Sequence, residues 1–385
     1  MGAVSPAGAL GSLLGTEPAA YAWEPSSEEI ARQTGLPIAA IVRFDTNTRP
    51  APPALVGRLL AAGAFRPALS EYPPNDYGPL ARAAAAAYGV EPEEIVVGAG
   101  ADEILDLVAR AWLRPGEAAI VPTPTYAMYR VVTEQRGARV HEVPRRGPGE
   151  AWALDVAAIR AAAREAALVW LCDPNNPTGR AEAPGTLPGL LASLAGDAAL
   201  DGRPAPLVAV DEAYAEFVDS SALALLDSYA RLIVVRTVSK AYGLAGLRVG
   251  FGIARRPVLE PVEHHRPPGP VSTVSAAIAA AALAEPAIAR SFVVETGVER
   301  ERLAAGLAAV GWRVEPSVAN FLLVRFGSPA VAGRAAAALL RRGLVARTFG
   351  PDHPLAAALR LTVRTPAEDD RLLEAAAEAA REEAP

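Results

Sequence analysis

Six short apolar runs decide most of what this chain can become. Between Glu94 and about Ile253 the segments EIVVGAG, AAIVPT, ALVWLC, PLVAVDEAY, LIVVRTVS and VGFGIA alternate with stretches of helical composition. Each run is apolar nearly throughout rather than at every second residue, which is the pattern of strands covered on both faces. Strands of that kind, joined by helices, build a mostly parallel sheet, so the fold class is α/β. Open sheets of this type bind ligands just beyond the C-terminal ends of their strands. The polar motifs of this sequence fall at those ends.

Downstream the pattern changes. RRPVLEPVEHHRPPGP, from Arg255 to Pro270, reads as a proline-rich joint, and an alanine-rich helical region follows from Ser275. Strand-like segments then come at Trp312 to Val314, Ala319 to Phe326, Gly343 to Thr348 and Leu359 to Val363, before a terminal helix from about Ala367. This predicts a smaller α+β domain over 271–385, a large domain over 45–270, and an N-terminal arm, or part of the small domain, over 1–44. The 385 residues favour two domains, and a hydrophobic content of 51% supplies a full core.

Charge and cysteine usage narrow the setting. A formal charge of -6 offers no basic face for a nucleic-acid backbone, so no nucleic acid is expected as a partner. Cys172 is the sole cysteine, which excludes an internal disulfide and favours a reducing cytoplasm. The first basic residue is Arg32, so the apolar opening lacks the charged region of a signal peptide, and Pro6 spoils a myristoylation pattern. No uncharged apolar run reaches the ~20 residues of a membrane span.

One count bears on chemistry. Of the 37 basic residues, Lys240 is the only lysine. Arginine replaces lysine wherever only charge matters, but it cannot condense with a carbonyl, whereas a lysine with a lowered pKa can. Lys240 lies in TVSKAYGLAGLRVG, Thr237 to Gly250, after an apolar run and with a hydroxyl at Thr237 and at Ser239. With Arg248 these can hold an amine and a phosphate in one pocket. GAGADE, Gly98 to Glu103, stands between a strand and a helix and offers backbone amides to an anion. As a dinucleotide fingerprint it fails, because Glu103 occupies the place of the third glycine.

Asp211 in VAVDEAYAEF ends a buried strand, where a carboxylate can keep a pyridine nitrogen protonated; standing alone, it reads first as a helix N-cap. CDPNNPTG, Cys172 to Gly179, has turn composition, yet Asn176 can donate to a phenolate oxygen. Tyr126 in VPTPTYAMY can stack on a planar ring or pack as an ordinary aromatic.

The order GADE, PTYAMY, DPNNPTG, VDEAYAEF and SKAYGLAGLRVG resembles the fold-type I enzymes dependent on pyridoxal 5′-phosphate (PLP). It looks most like the histidinol-phosphate aminotransferase group of the class I/II aminotransferases, and the likeness runs from about Asp45 to the terminal helix. The resemblance implies a large domain with a mostly parallel seven-stranded sheet between helices, plus a smaller α+β domain. It also implies PLP held on Lys240, with Asp211 on the pyridinium, Asn176 and Tyr214 on its 3′-oxygen and Tyr126 stacked on the ring. Ala101, Asp102, Thr237, Ser239 and Arg248 hold the phosphate in this reading, and Tyr72 reaches the cofactor of the partner subunit in a homodimer. Arg360 and Arg347 are the candidates for the substrate's anionic groups. The partners are then an amino donor and a 2-oxo acid, most plausibly L-histidinol phosphate and 2-oxoglutarate. Aromatic amino-acid aminotransferases and threonine-phosphate decarboxylases share this cofactor pocket and stay as alternatives. Two positions depart from the group: Asn47, Thr48, Arg49, Pro50 replaces Asn-Glu-Asn-Pro, and Arg364 replaces a frequent glycine. Both are expected near the substrate entrance.

Other chemistries have less behind them. His264 and His265 are adjacent in the proline-rich joint and lack the spacing of metal ligands, so no metal is expected. No GxSxG elbow supports a serine hydrolase. A non-catalytic binding module would have no need to keep its one lysine.

Overall fold

The apolar runs become the spine of a seven-stranded sheet in the order β2-β8-β7-β6-β5-β3-β4. Its strands are β2 (Ile95–Gly98), β3 (Ala118–Thr123), β4 (Arg139–Pro144), β5 (Ala166–Cys172), β6 (Leu207–Asp211), β7 (Leu232–Thr237) and β8 (Gly250–Ala254). β8 pairs antiparallel with both β2 and β7, and the remaining ladders are parallel. The computed structural model describes residues 20–21, 24–63 and 69–383.

Every residue of β6, β7 and β8 is buried, as continuous apolar runs require. One face of the sheet packs on the helices Gly78–Tyr88, Thr186–Leu200 and Thr273–Leu283. The other packs on Gly100–Trp112, Met128–Gln135 and Arg256–His264. Helix Thr273–Leu283 lies beyond the joint at 255–270, yet its Ile278, Ala279 and Ala282 enter the core of the large sheet. By packing it belongs with that sheet rather than with the smaller unit.

The smaller unit is an antiparallel sheet of order β12-β10-β9, formed by β9 (Arg313–Glu315), β10 (Phe321–Arg325) and β12 (Ala358–Thr362). Beside it β1 (Val42–Arg43) pairs in parallel with β11 (Leu344–Val345). Val42 and Phe44 join Leu303, Leu307, Leu322, Leu339 and Leu372 in its core, so the chain before residue 45 helps to build it. On β12, Leu359 and Leu361 face this core, and strand alternation turns Arg360 to the opposite side.

Candidate active site

Strands β2, β3, β5, β6 and β7 run in one direction and end together at Gly98, Thr123, Cys172, Asp211 and Thr237, where the reversed β8 begins at Gly250. A cavity of about 400 Å3 opens beyond this edge. It is lined by Lys240, Asp211, Tyr214, Asn176 and Tyr126, by Ala101, Asp102, Thr237, Ser239 and Arg248, and by Arg347 and Arg360. The topology thus gathers twelve side chains that the sequence singled out. Tyr72 is the exception: it is 96% exposed and lies outside the cavity.

At the floor, Asp211 is buried and its carboxyl is pushed up to about 6, chiefly by burial. The Tyr129 hydroxyl donates to its Oδ2 at 2.8 Å and the Ala213 N–H to its Oδ1 at 3.0 Å. Tyr129 is itself fixed by stacking on Trp170, with ring centroids 5.5 Å apart. Lys240 Nζ lies 5.6 Å from the centroid of the Tyr214 ring, and burial, then the nearby Arg360 charge, lowers its pKa to about 8. Cys172 also lines the cavity, but burial pushes its thiol up to about 12, which leaves little thiolate for chemistry.

One end of the cavity is made for an anion. The helix Gly100–Trp112 begins there, with the backbone N–H groups of its first turn lacking intrahelical partners. Thr237 Oγ1 donates to the Val249 carbonyl at 2.8 Å, so in its 2.7 Å contact with Ser239 Oγ it is the acceptor. Arg248 Nη2 donates to Asp102 Oδ2 at 2.9 Å, while the Tyr126 hydroxyl donates to Asp102 Oδ1 at 2.9 Å. Two glycines permit this packing. A Cβ on Gly100, whose φ is +84°, would lie 2.5 Å from the Arg248 guanidinium. One on Gly250 would lie 2.3 Å from the Gly100 backbone.

The opposite end is built by the small unit. Arg360, 9% exposed, donates through Nη1 to Asn176 Oδ1 at 2.7 Å and through Nη2 to the Asp45 carbonyl. Both acceptors are neutral, and its Nε has no partner among the described residues. Pinning Asn176 Oδ1 leaves the amide NH2 of that residue to donate into the cavity. Tyr214 accepts at 2.9 Å from Asn47 Nδ2, which leaves its own O–H free to donate. Arg347 faces Arg360 across an isolated antiparallel bridge and is ion-paired with Glu24 from the N-terminal segment.

Sequence reasoning missed Asn47 as a site residue. It sits at a left-handed φ of 52° and is stitched to the small unit: its N–H donates to Thr362 Oγ1 at 2.9 Å and its carbonyl accepts from Asn320 Nδ2 at 3.1 Å. The only sequence signal was its membership in the Asn-Thr-Arg-Pro departure. Tyr129, Glu24 and Tyr21 were missed as well, since an aromatic or acidic residue alone gives no sign of the cavity it joins. Of the departures expected near the substrate entrance, Arg49 and Arg364 do not reach the cavity. Arg49 lies over the Phe292 ring at 4.5 Å, and Arg364 bonds the Arg43 carbonyl and Glu368; neither lines the cavity. Thr48 does line it, bonded to Thr46 at 2.8 Å. His264 and His265 stand at the end of a helix, and no group of three metal-ligating side chains occurs among the described residues.

The donor set fits a phosphorylated pyridine aldehyde: an anion cradle at one end, a buried carboxylate on the floor, a lysine between them and an unsatisfied guanidinium opposite. A profile of the family described as aminotransferase class I and II matches residues 42–376. The histidinol-phosphate aminotransferase of Symbiobacterium thermophilum is 36% identical over 355 residues, covering 90% of this chain and 92% of that protein. That of Roseiflexus castenholzii is 37% identical, covering 92% and 93%. Among solved structures, histidinol-phosphate aminotransferase from Sinorhizobium meliloti in complex with pyridoxal-5′-phosphate aligns with a TM-score of 0.83 at 27% identity, over 94% of this chain and 96% of that one. By the extent of the profile match and the identity to these relatives, the chain belongs to the class I and II aminotransferase family.

Proposed function

We propose that this chain is a PLP-dependent aminotransferase that moves the amino group of L-histidinol phosphate to 2-oxoglutarate, giving imidazole acetol phosphate and L-glutamate. The observation that carries the reading is the meeting, in one cavity, of the sole lysine at a lowered pKa with a buried carboxylate and an unpaired guanidinium. The relatives at 36% and 37% identity support the choice of donor.

PLP, when bound, supplies a carbonyl carbon that takes up an amine and a conjugated ring that accepts the electron pair left when a proton leaves the donor carbon. The first-turn amides of Ala101 and Asp102, with Thr237, Ser239 and Arg248, would hold its phosphate. Asp211 would keep a proton on the ring nitrogen, and Tyr129 and Ala213 hold that carboxylate in place. The free donors of Asn176 and Tyr214 would meet the ring oxygen, and Tyr126 would cover the ring face. Lys240 would act as the base, taking up the proton of the donor carbon on Nζ and holding it for return. Arg360 and Arg347 orient the anionic groups of donor and acceptor, Arg360 with its bidentate edge to a carboxylate. We also assign the enzyme to the cytoplasm, and to a homodimer in which the exposed Tyr72 reaches the partner's cofactor.

The test is product analysis with L-histidinol phosphate and 2-oxoglutarate. Stoichiometric glutamate without carbon dioxide is expected. Carbon dioxide from O-phosphothreonine, or amino transfer from phenylalanine in preference to histidinol phosphate, would move the chain to one of the alternative activities.

A further inference from the structure

The two substrate arginines are not in the same state. Arg360 donates to two neutral oxygens and keeps an unpartnered Nε among the described residues, so it is a buried cation lacking an anion. Arg347, at the facing position of the same bridge, is taken by the carboxylate of Glu24. Both members of that pair line the cavity and are partly buried, their side chains 28% and 22% exposed. The segment that carries Glu24 lies over the cofactor end as well, since the Tyr21 ring meets the edge of the Tyr126 ring with centroids 6.4 Å apart.

We infer that Glu24 holds Arg347 as a competing internal anion, which an anionic group of the substrate must displace before it reaches this guanidinium. The inference rests on the amino-transfer reading above. A donor without an anionic group, such as L-histidinol, leaves the Glu24–Arg347 pair intact. A donor or acceptor whose anion reaches Arg347 must compete with a carboxylate that is already in place. Phosphate wins this exchange more readily than carboxylate does, because it carries close to two charges and offers three acceptor oxygens to a guanidinium fork. Glu24 thereby raises the KM of any substrate whose anion must reach Arg347, and a strongly charged group offsets that cost best. A partly exposed pair of this kind weakens the competing anion by about two- to fivefold.

The experiment uses the holoenzyme and two donors that differ only in the phosphate, L-histidinol phosphate and L-histidinol. Glu24→Gln keeps the side-chain shape and removes its charge. The ratio of KM for histidinol to KM for histidinol phosphate is expected to rise about two- to fivefold in this variant. In an Arg347→Gln background the same Glu24 substitution is expected to leave the ratio where Arg347→Gln alone puts it. Competitive inhibition by inorganic phosphate gives a second readout, and it is expected to tighten in Glu24→Gln and not in the double variant. An unchanged or lowered ratio in Glu24→Gln overturns the proposal. If neither donor is turned over by the wild type, the choice of donor fails by itself. The Glu24 assignment is then decided by 2-oxoglutarate against pyruvate with whichever donor is active: selective tightening of the dicarboxylate supports it, and equal KM changes overturn it.

Discussion

At the scale of single residues, burial lowers the pKa of Lys240 and so raises its share of neutral amine. An ordinary lysine with a pKa of ~10.4 is roughly 0.1% neutral at pH 7.4, whereas one near 8 is roughly a fifth neutral. The shift is downward, so the neutral amine disappears as the pH falls through 8 and not before. Covalent capture of PLP by the cofactor-free protein, followed by borohydride trapping and mass measurement, is therefore expected to rise with pH to half its limit near 8. Lys240→Ala is expected to trap none; a midpoint near 10 would remove the burial argument. Much of this site could be read from the sequence because its members sit on motifs: a lone lysine after a strand, an aspartate at a strand end, glycines before a helix. Asn47 and Glu24 were not legible, since each acts across 167 positions or more, on Tyr214 and on Arg347 respectively. Nothing local marks such a contact.

At the scale of elements, the cofactor cradle depends on how closely β8 approaches the first turn of helix Gly100–Trp112. A methyl group at residue 250 would meet the backbone of Gly100 and Ala101 at 2.3 to 2.6 Å. Backbone cannot step aside as a side-chain end can. Gly250→Ala is expected to cost about 1–3 kcal/mol of stability and, by tilting the turn away, to weaken PLP affinity beyond what the lost stability explains. Thermal unfolding with and without the cofactor measures both; an unchanged PLP affinity would mean the turn does not depend on this contact. Legibility of the strands follows burial in the same way. β2, β3, β5, β6, β7 and β8 announced themselves as continuous apolar runs, but β4, whose residues Arg139, His141 or Glu142 are largely open to solvent, carries no such run. It is an edge strand with one neighbour, β3. Edge strands keep a polar composition, and period and hydrophobicity then say little. The helix Thr273–Leu283 was misjudged for a related reason: alanine packs against either unit, so composition did not tell which sheet it would cover.

At the scale of the whole molecule, the large sheet holds the cofactor cradle and the small unit contributes Arg360, Arg347 and, through the segment before residue 48, Asn47. The site is complete only because both units meet over one strand edge. If the proposed homodimer also holds, each site further needs the partner subunit. Mixing a Lys240→Ala chain with a Tyr72→Phe chain then creates hybrid dimers with one fully native site, since one chain supplies the lysine and the other the tyrosine. Random pairing is expected to restore about a quarter of wild-type activity, well above the sum of the two parents. Purely additive activity would place Tyr72 outside its partner's site. The central claim, amino transfer from histidinol phosphate on cofactor held by Lys240, is tested most directly by the visible spectrum of PLP-loaded protein as L-histidinol phosphate is added without any 2-oxo acid. Rapid, complete conversion of the pyridoxal band to the pyridoxamine band, reversed by 2-oxoglutarate, is the expected result, and an unaltered spectrum at saturating donor would contradict it.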